Sequence, residues 1–307
     1  MIKWLGRNRK LLLRILGTIV AIVLILVLVR GEAWSEVAGA LRQLTWTRIS
    51  GALALVVTSR LFVAARWYVL LRAGDVRISP AQAAALTFTG LFSNNFLPTT
   101  IGGDVVRLAG AMQLGFDRAV CLASIAADRL IGMLGMMFTL PLGLIPTIQI
   151  LGAGAGTGQS LTVGDLARRA TAFVRRTVQT FSIWFGRPVA LLAALGCTWG
   201  HMLCTFITMY ILIRALGGYV GLALIAGLWS VSYFVTLVPI SINGYGVQEL
   251  TLTFLFSTIA GLSTPTSLTV AVLMRSLYVA VSLVGAFYLP GVLAAVDRRE
   301  PAGPPLD

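Results

Sequence analysis

Two long apolar stretches of this chain are interrupted in the same manner: FLPTTIGGDVVRL at Phe96–Leu108 and LVPISINGYGVQEL at Leu237–Leu250. Each ends an apolar run at a proline and passes through hydroxyl, Gly or Asn residues. Each then resumes with an acid, Asp104 or Glu249, in reach. In a water-soluble protein such breaks are ordinary loops. This sequence removes that option, being 57% hydrophobic and only 11% charged, where soluble domains carry about 25% charged residues. Mean hydropathy is +0.89, so most of the chain is dissolved in lipid. There, each unpaired backbone N–H or C=O costs several kcal/mol, and irregular backbone survives only inside protein or beside water. Paired Gly/Pro-interrupted segments in corresponding halves are the best sequence pointer to a transporter's binding site.

A spanning helix needs about 20 apolar residues. Clear spans are expected at 11–29, 49–71, 119–145, 188–214 and 267–290. The segments 81–97, 219–238 and 245–261 flank the two breaks and read either as full spans or as arms of re-entrant hairpins. The expected fold is therefore an all-α, polytopic transmembrane helical bundle with about 6–8 membrane segments. The 307 residues form a single membrane domain: a first helix at 11–29, a first half at 49–145, a connector at 146–187, a second half at 188–290 and a disordered tail at 291–307.

The basic start, MIKWLGRNRKLLLR, resembles the charged region of a signal peptide. No small-residue cleavage site follows its apolar run, so it reads as an uncleaved helix with a cytoplasmic N-terminus. Residues 30–48, with Trp34 and Trp46, suit an interfacial amphipathic helix. The connector opens with GAGAGTG at 152–158, which lacks the Lys-Ser/Thr of a phosphate loop and reads as a flexible linker. Behind it, Arg168, Arg169, Arg175 and Arg176 fall on the polar side of a second interfacial helix.

The two halves align when Pro98 is set against Pro239, which pairs Ile101 with Ile242, Gly103 with Gly244 and Val106 with Val247. An apolar helix with one embedded arginine follows each break, carrying Arg129 or Arg275. The expectation is an internal two-fold repeat of flanking helix, broken segment and arginine helix.

Net charge is +13, from 24 basic against 11 acidic residues. Part of the excess is topological, since cytoplasmic loops collect Lys and Arg. The dispersal of the bases among spanning segments excludes a nucleic-acid surface. Ionisable groups inside the membrane are functional candidates by default. They are Arg60, Arg66, Arg107, Arg129 and Arg275 against Asp104, Asp128 and Glu249. Mutual pairing is the plainer reading, with either Asp104 or Asp128 on one arginine and Glu249 on another. The unmatched positive excess fits an anionic ligand better, and phosphate suits bidentate arginine.

The breaks would complete such a site. Helices restarting near Asp104 and Tyr245 would aim free N–H groups at an anion. Gly102, Gly103, Gly244 and Gly246 would allow close backbone approach. Thr99, Thr100, Ser241, Asn94, Asn95 and Asn243, beside Pro98 and Pro239, would supply neutral donors and acceptors. Against that, glycines also make turns and hydroxyls also cap helices.

Cys197, His201 and Cys204 share a helical face but lack a fourth ligand, so they read as packing, with His201 hydrogen-bonded in the bundle. No metal and no cofactor are implied. Catalysis finds little support: GxSxG and HExxH are absent, and the chain has one histidine.

The stretches RWYVLL (66–71), FSNNFLPTTIGGDVVRL, SIAADRLIGM and PISINGYGVQEL, with the late Arg275, resemble the flippase-like integral membrane family. That family is similar to the transmembrane region of bacterial lysylphosphatidylglycerol synthases. The resemblance covers roughly residues 10–290 and implies an inner-membrane protein that handles lipids, some members flipping aminoacylated phosphatidylglycerol. The full synthases add a soluble transferase domain. Only seventeen residues follow Pro290 here, so aminoacyl transfer is not expected. The favoured expectation is a lipid translocase for an anionic phospholipid or lipid-linked phosphate, with the lipid bilayer and an anionic lipid as partners and room for a lipid-biosynthetic enzyme partner. The alternative is a membrane enzyme or accessory subunit acting on polyprenyl-phosphate intermediates. A scaffold without transport is a third.

Overall fold

The computed structural model describes residues 45–97, 102–154, 187–238 and 241–290. Among these residues there are α-helices and short 3-10 turns and no strands. The expected first helix at 11–29, nearly all of the 30–48 segment, the arginine-bearing part of the connector and the tail at 291–307 lie outside the described residues.

Eight helices follow in order. They are α1 Trp46–Ala73, α2 Pro80–Ser93, α3 Gly102–Gln113, α4 Arg118–Gly154, α5 Pro188–Ala215, α6 Leu222–Thr236, α7 Val247–Thr258 and α8 Thr264–Ser282. The last runs on into a 3-10 turn at Leu283–Phe287. Four of these elements are long and apolar enough to cross a membrane: α1, α4, α5, and α8 with its 3-10 continuation. The protein is an integral membrane protein.

Local signals explain where the helices begin. Ser79 and Gln82 form a capping box around Pro80, closing the start of α2. Ser263 accepts from Thr266 N at 3.3 Å to cap α8 ahead of Pro265. Pro188 occupies the first helical position of α5, where its missing N–H costs nothing.

Three boundaries differ from the sequence expectation. Trp46 opens the spanning α1 rather than ending an interfacial helix. Helix α4 does not stop at 145 but continues through Pro146 to Gly154, into the glycine-rich string. A proline inside a helix removes one hydrogen bond. Here the turn around it is held by Thr147 Oγ1, which donates to Gly143 O at 2.7 Å. The span expected at 267–290 tightens to 3-10 after Ser282. That turn brings Gly285 so close to α2 that a Cβ there would lie 2.0 Å from Phe88 O.

The arms flanking the breaks are short. Helix α2 has 14 residues, α3 has 12, α6 has 15 and α7 has 12. At about 1.5 Å per residue they reach roughly 18–23 Å, less than the roughly 30 Å hydrocarbon core. The two arms of each break pack on one another, α2 with α3 and α6 with α7. The element order long, short, short, long thus occurs twice. Helices α1 and α5 have 28 residues each, and α3 and α7 have 12 each.

Helices α1 and α5 pack along their length, and α4 crosses α6. At that crossing Gly143 meets Gly227 so closely that a Cβ on Gly227 would sit 2.0 Å from Gly143 N. Buried apolar residues of α5–α8, Met209, Ile213, Leu228, Phe256 and Met274 among them, form the largest core cluster. A second cluster joins Trp67 and Leu71 of α1 to Leu86, Ala111 and Ile125. Outward faces stay apolar, with Val189, Leu192 and Phe138 about 67–78% exposed. That is the pattern of a surface wetted by acyl chains, where the exterior is as apolar as the interior.

Candidate functional site

The polar residues of the bundle converge. A cavity of about 320 Å³ is lined from α1 by Arg60, from the end of α2 by Asn94 and Asn95, and from α4 by Arg129. The second half contributes Asn243, Gly244, Gln248 and Arg275. Both breaks therefore face one space, and three arginines line it.

Behind each break stands an acid in the first turn of the restarting helix, Asp104 in α3 and Glu249 in α7. Each is ion-paired to the arginine of the following long helix. Arg129 Nε donates to Asp104 Oδ2, 25 residues away. Arg275 Nε donates to Glu249 Oε1, 26 residues away. Carboxylates at helix N-termini are favoured by the macrodipole, so each acid is held by its own helix as well as by its arginine.

On the first-half side the pairing spreads into a network. Arg66 Nε donates to Asp128 Oδ1 at 2.6 Å, and Arg66 Nη1 to Thr198 Oγ1 at 3.1 Å. Arg107 Nη1 bridges Asp104 Oδ1 at 3.3 Å and Asp128 Oδ2 at 3.2 Å. The Arg107 guanidinium lies over the Trp67 ring, 4.1 Å from its centroid. Its Nε and Nη2 are buried and meet no hydrogen-bond partner among the described residues. The pairing left open by the sequence is thus resolved: Asp104 and Asp128 share three arginines, and Glu249 takes Arg275.

The second-half side is tighter. Glu249 Oε2 accepts from Gly246 N at 2.7 Å, capping α7. Arg275 Nη2 donates to Gln248 Oε1 at 2.8 Å and to Gly244 O at 3.4 Å. Its guanidinium lies 4.8 Å from the centroid of the Tyr245 ring. The two halves are then stitched together. Tyr245 Oη donates to Asn95 Oδ1 at 3.0 Å, and Asn95 Nδ2 donates to Ser282 Oγ at 2.8 Å.

Arg60 differs from the other intramembrane arginines. Its guanidinium stacks on Tyr278 at 3.9 Å, and among the described residues no carboxylate pairs with it.

Of the residues singled out from the sequence, Arg60, Asn95, Arg129, Asn243, Gly244 and Arg275 line the cavity. Asp104, Arg107, Asp128 and Glu249 stand behind it in the pairs described. Ser241 is buried, and its Oγ meets no hydrogen-bond partner among the described residues. Pro98, Thr99, Thr100 and Pro239 lie outside the described residues.

One N–H at the start of each restarting helix is already taken: Gly103 N donates to Asn94 Oδ1 at 2.7 Å, and Gly246 N, just ahead of α7, donates to Glu249 Oε2 at 2.7 Å. The helices also restart at Gly102 and Val247, which sets Asp104 against Glu249 and makes the second break the longer. The glycines mostly serve the breaks themselves. A Cβ on Gly103 would lie 2.2 Å from Gly90 O, so Gly103 is what lets α3 close on α2. Gly246, at φ 78, takes a conformation L residues avoid.

Sequence reasoning missed Gln248, Tyr233, Thr236, Tyr278 and Ser282, all on the cavity wall. Tyr278 and Ser282 stand three and seven positions after Arg275, so helical periodicity from that arginine would have found them. His201 shares a hydrogen bond with Ser59 Oγ through Nδ1 at 2.6 Å, inside the bundle as expected. Among the described residues no cluster with metal-ligand composition occurs.

Comparison with curated proteins finds no match. The family model for the lysylphosphatidylglycerol synthase TM region matches residues 14–285. Nearly the whole chain is covered, including both breaks and both arginine helices. A membrane domain of this kind points to a lipid-related function, and the chain belongs to the lysylphosphatidylglycerol synthase TM region family.

Proposed function

We propose that the protein is a lipid translocase that admits an anionic headgroup into the cavity between its two breaks and passes it from one leaflet to the other. The observation that carries this reading is the cavity of about 320 Å³ with Arg60, Arg129 and Arg275 on its walls. Arginine recognises phosphate oxygens through paired hydrogen bonds. A charged cavity at membrane depth is expensive to keep unless something charged uses it.

The reading includes the architecture. The short arms α2–α3 and α6–α7 are re-entrant hairpins that enter the bilayer and leave on the same side, meeting near mid-depth. The recurring helix lengths and the recurring acid–arginine pair at spacings of 25 and 26 residues support an internal duplication. In transporters of repeated architecture the substrate site lies at the interface of the repeats, and here both repeats line the cavity. The basic N-terminus would stand on the cytoplasmic side of the inner membrane, following the positive-inside rule. The reading is non-enzymatic: the acids near the cavity are committed to arginines, and among the described residues no nucleophile–base pair lines it.

The test is reconstitution of the purified full chain in proteoliposomes, with fluorescent anionic phospholipid placed in one leaflet. Movement should exceed that of empty vesicles and drop by at least about tenfold, roughly 1.4 kcal/mol, in Arg60→Ala and Arg275→Ala. Turnover of a lipid phosphate without lipid movement would sink the proposal in favour of an enzyme.

A further inference from the structure

Three side-chain amides on the cavity wall have their oxygens occupied within the protein. Asn94 Oδ1 is taken by Gly103 N at 2.7 Å, Asn95 Oδ1 by Tyr245 Oη at 3.0 Å and Gln248 Oε1 by Arg275 Nη2 at 2.8 Å. Each side-chain amide oxygen of these three is thereby spent inside the protein. Among the described residues the side-chain N–H₂ groups of Asn94 and Gln248 meet no protein acceptor. The carboxylates nearest the space, Asp104 and Glu249, are covered by Arg129 and Arg275.

The charge balance points the same way. Five arginines, at 60, 66, 107, 129 and 275, face three carboxylates, at 104, 128 and 249. Among the described residues two positive charges are left over. One belongs to the network in which Arg66, Arg107 and Arg129 share Asp104 and Asp128. The other is Arg60, held flat on Tyr278, its N–H fork meeting no acceptor among the described residues. A planar fork fixed by stacking has already lost the freedom that binding would otherwise remove.

A headgroup bearing an ammonium would bring donors to amides whose oxygens are already taken and a positive charge to a positive excess. Discrimination of this kind is strong, because an unmatched buried polar group costs more than a matched one gains. We propose that the cavity selects a lipid whose headgroup is an ammonium-free phosphate dianion, a terminal phosphomonoester in the simplest case. A phosphomonoester carries about −1.5 to −2 at pH 7 and three acceptor oxygens, which matches the excess. A phosphodiester such as phosphatidylglycerol carries one charge, and an aminoacylated phosphatidylglycerol adds an ammonium.

This assignment rests on the cavity being the lipid site of the proposed translocase, and the experiment separates the two. Purified full-length protein in nanodiscs is titrated with dioctanoyl phosphatidic acid, phosphatidylglycerol, phosphatidylethanolamine and lysylphosphatidylglycerol, and with inorganic phosphate, reading tryptophan fluorescence. Phosphatidic acid should bind at least about tenfold more tightly than each other lipid, as charge matching predicts. Inorganic phosphate should compete only weakly, because it lacks the acyl chains. Arg60→Gln should erase the preference. Arg60→Lys, which keeps the charge without the fork, should restore part of it.

Equal affinity for an ammonium-bearing lipid would overturn the assignment, and free phosphate binding as tightly as phosphatidic acid would overturn its lipid source. Both arms use wild-type protein, so the outcome does not depend on whether a variant folds. Lipid movement without headgroup preference would refute the selectivity and leave the translocase standing. Preference in binding without any movement would do the reverse.

Discussion

Glu249→Gln removes one acceptor from the second break and leaves its shape unchanged. In the native protein Glu249 Oε1 accepts from Arg275, and Oε2 accepts from Gly246 N at 2.7 Å. Glutamine has a single acceptor. Whichever way its amide turns, the N–H₂ faces a donor. Glu249 is 5% exposed, and breaking a buried pair by removing one partner costs about 3–5 kcal/mol. The low end applies here, because Arg275 is 16% exposed at the side chain and keeps Gln248 and Gly244 as acceptors. A loss of about 3 kcal/mol corresponds to a fall in Tm of roughly 6 °C for a chain of this size. Thermal unfolding in detergent, followed by tryptophan fluorescence, reads it. The stronger measurement is the cycle with Arg275→Gln. That change alone strands the carboxylate with one N–H partner, whereas the double variant pairs two neutral amides. The double should therefore be less destabilised than the sum of the singles by about 2 kcal/mol. Additivity to within about 0.5 kcal/mol would mean the pair does not hold the break closed, and the reasoning would fail.

Four further substitutions have expected outcomes. Gly227→Ala should lower stability by about 1–3 kcal/mol, because the new Cβ would overlap the backbone of Gly143. Gly196→Ala has open space around it and should be neutral or slightly stabilising in the same melt. Outside the spans, the Arg187 hydrogen bond and charge lower the carboxyl pKa of Asp75. A depressed acid contributes stability that is present above its unfolded pKa of about 3.9 and lost as pH falls through the lower folded value. Any Tm gap between wild type and Asp75→Asn should therefore be small at pH 7, the pair being exposed, and should close in strong acid; a gap that widens on acidification would contradict this. In a variant whose Cys121, Cys197 and Cys204 are replaced, Asn243→Cys should label with an impermeant maleimide, since Asn243 lines the cavity; complete protection would mean that water does not reach it.

The long spans were legible because twenty or more apolar residues leave little else for a segment to be. Helices α1 and α5 end within three residues of where hydropathy places them. The errors came where single-residue signals were trusted against context. Pro146 and Gly152 read as the end of a helix, yet α4 carries both Pro141 and Pro146 inside it, since in lipid a chain that left the helix would strand many more backbone groups than a proline does. The arginines and acids of the site were legible as types, because charges in hydrocarbon are conspicuous. Their partners were not. Asn95 contacts residues 150 and 187 positions away, and nothing in the local pattern of either segment encodes that meeting.

The acids were expected near the ligand, and their position argues for a different role. Asp104 and Glu249 are each third in a twelve-residue helix, at the end of the macrodipole that attracts a carboxylate, and each accepts from the arginine of the next long helix. So placed, each neutralises an arginine that would otherwise face the cavity with a whole charge. An arginine beyond pairing would then be set by how many carboxylates the breaks carry, and Arg60 is the one they do not reach. Adding an acid to the Arg60 environment should therefore weaken anion binding as much as deleting the arginine does. Ser282→Asp, one turn beyond Tyr278 on the cavity wall, would supply one. Should that variant bind phosphatidic acid as wild type does, the ligand is not held by the residual charge, and the cavity's selectivity must come from shape.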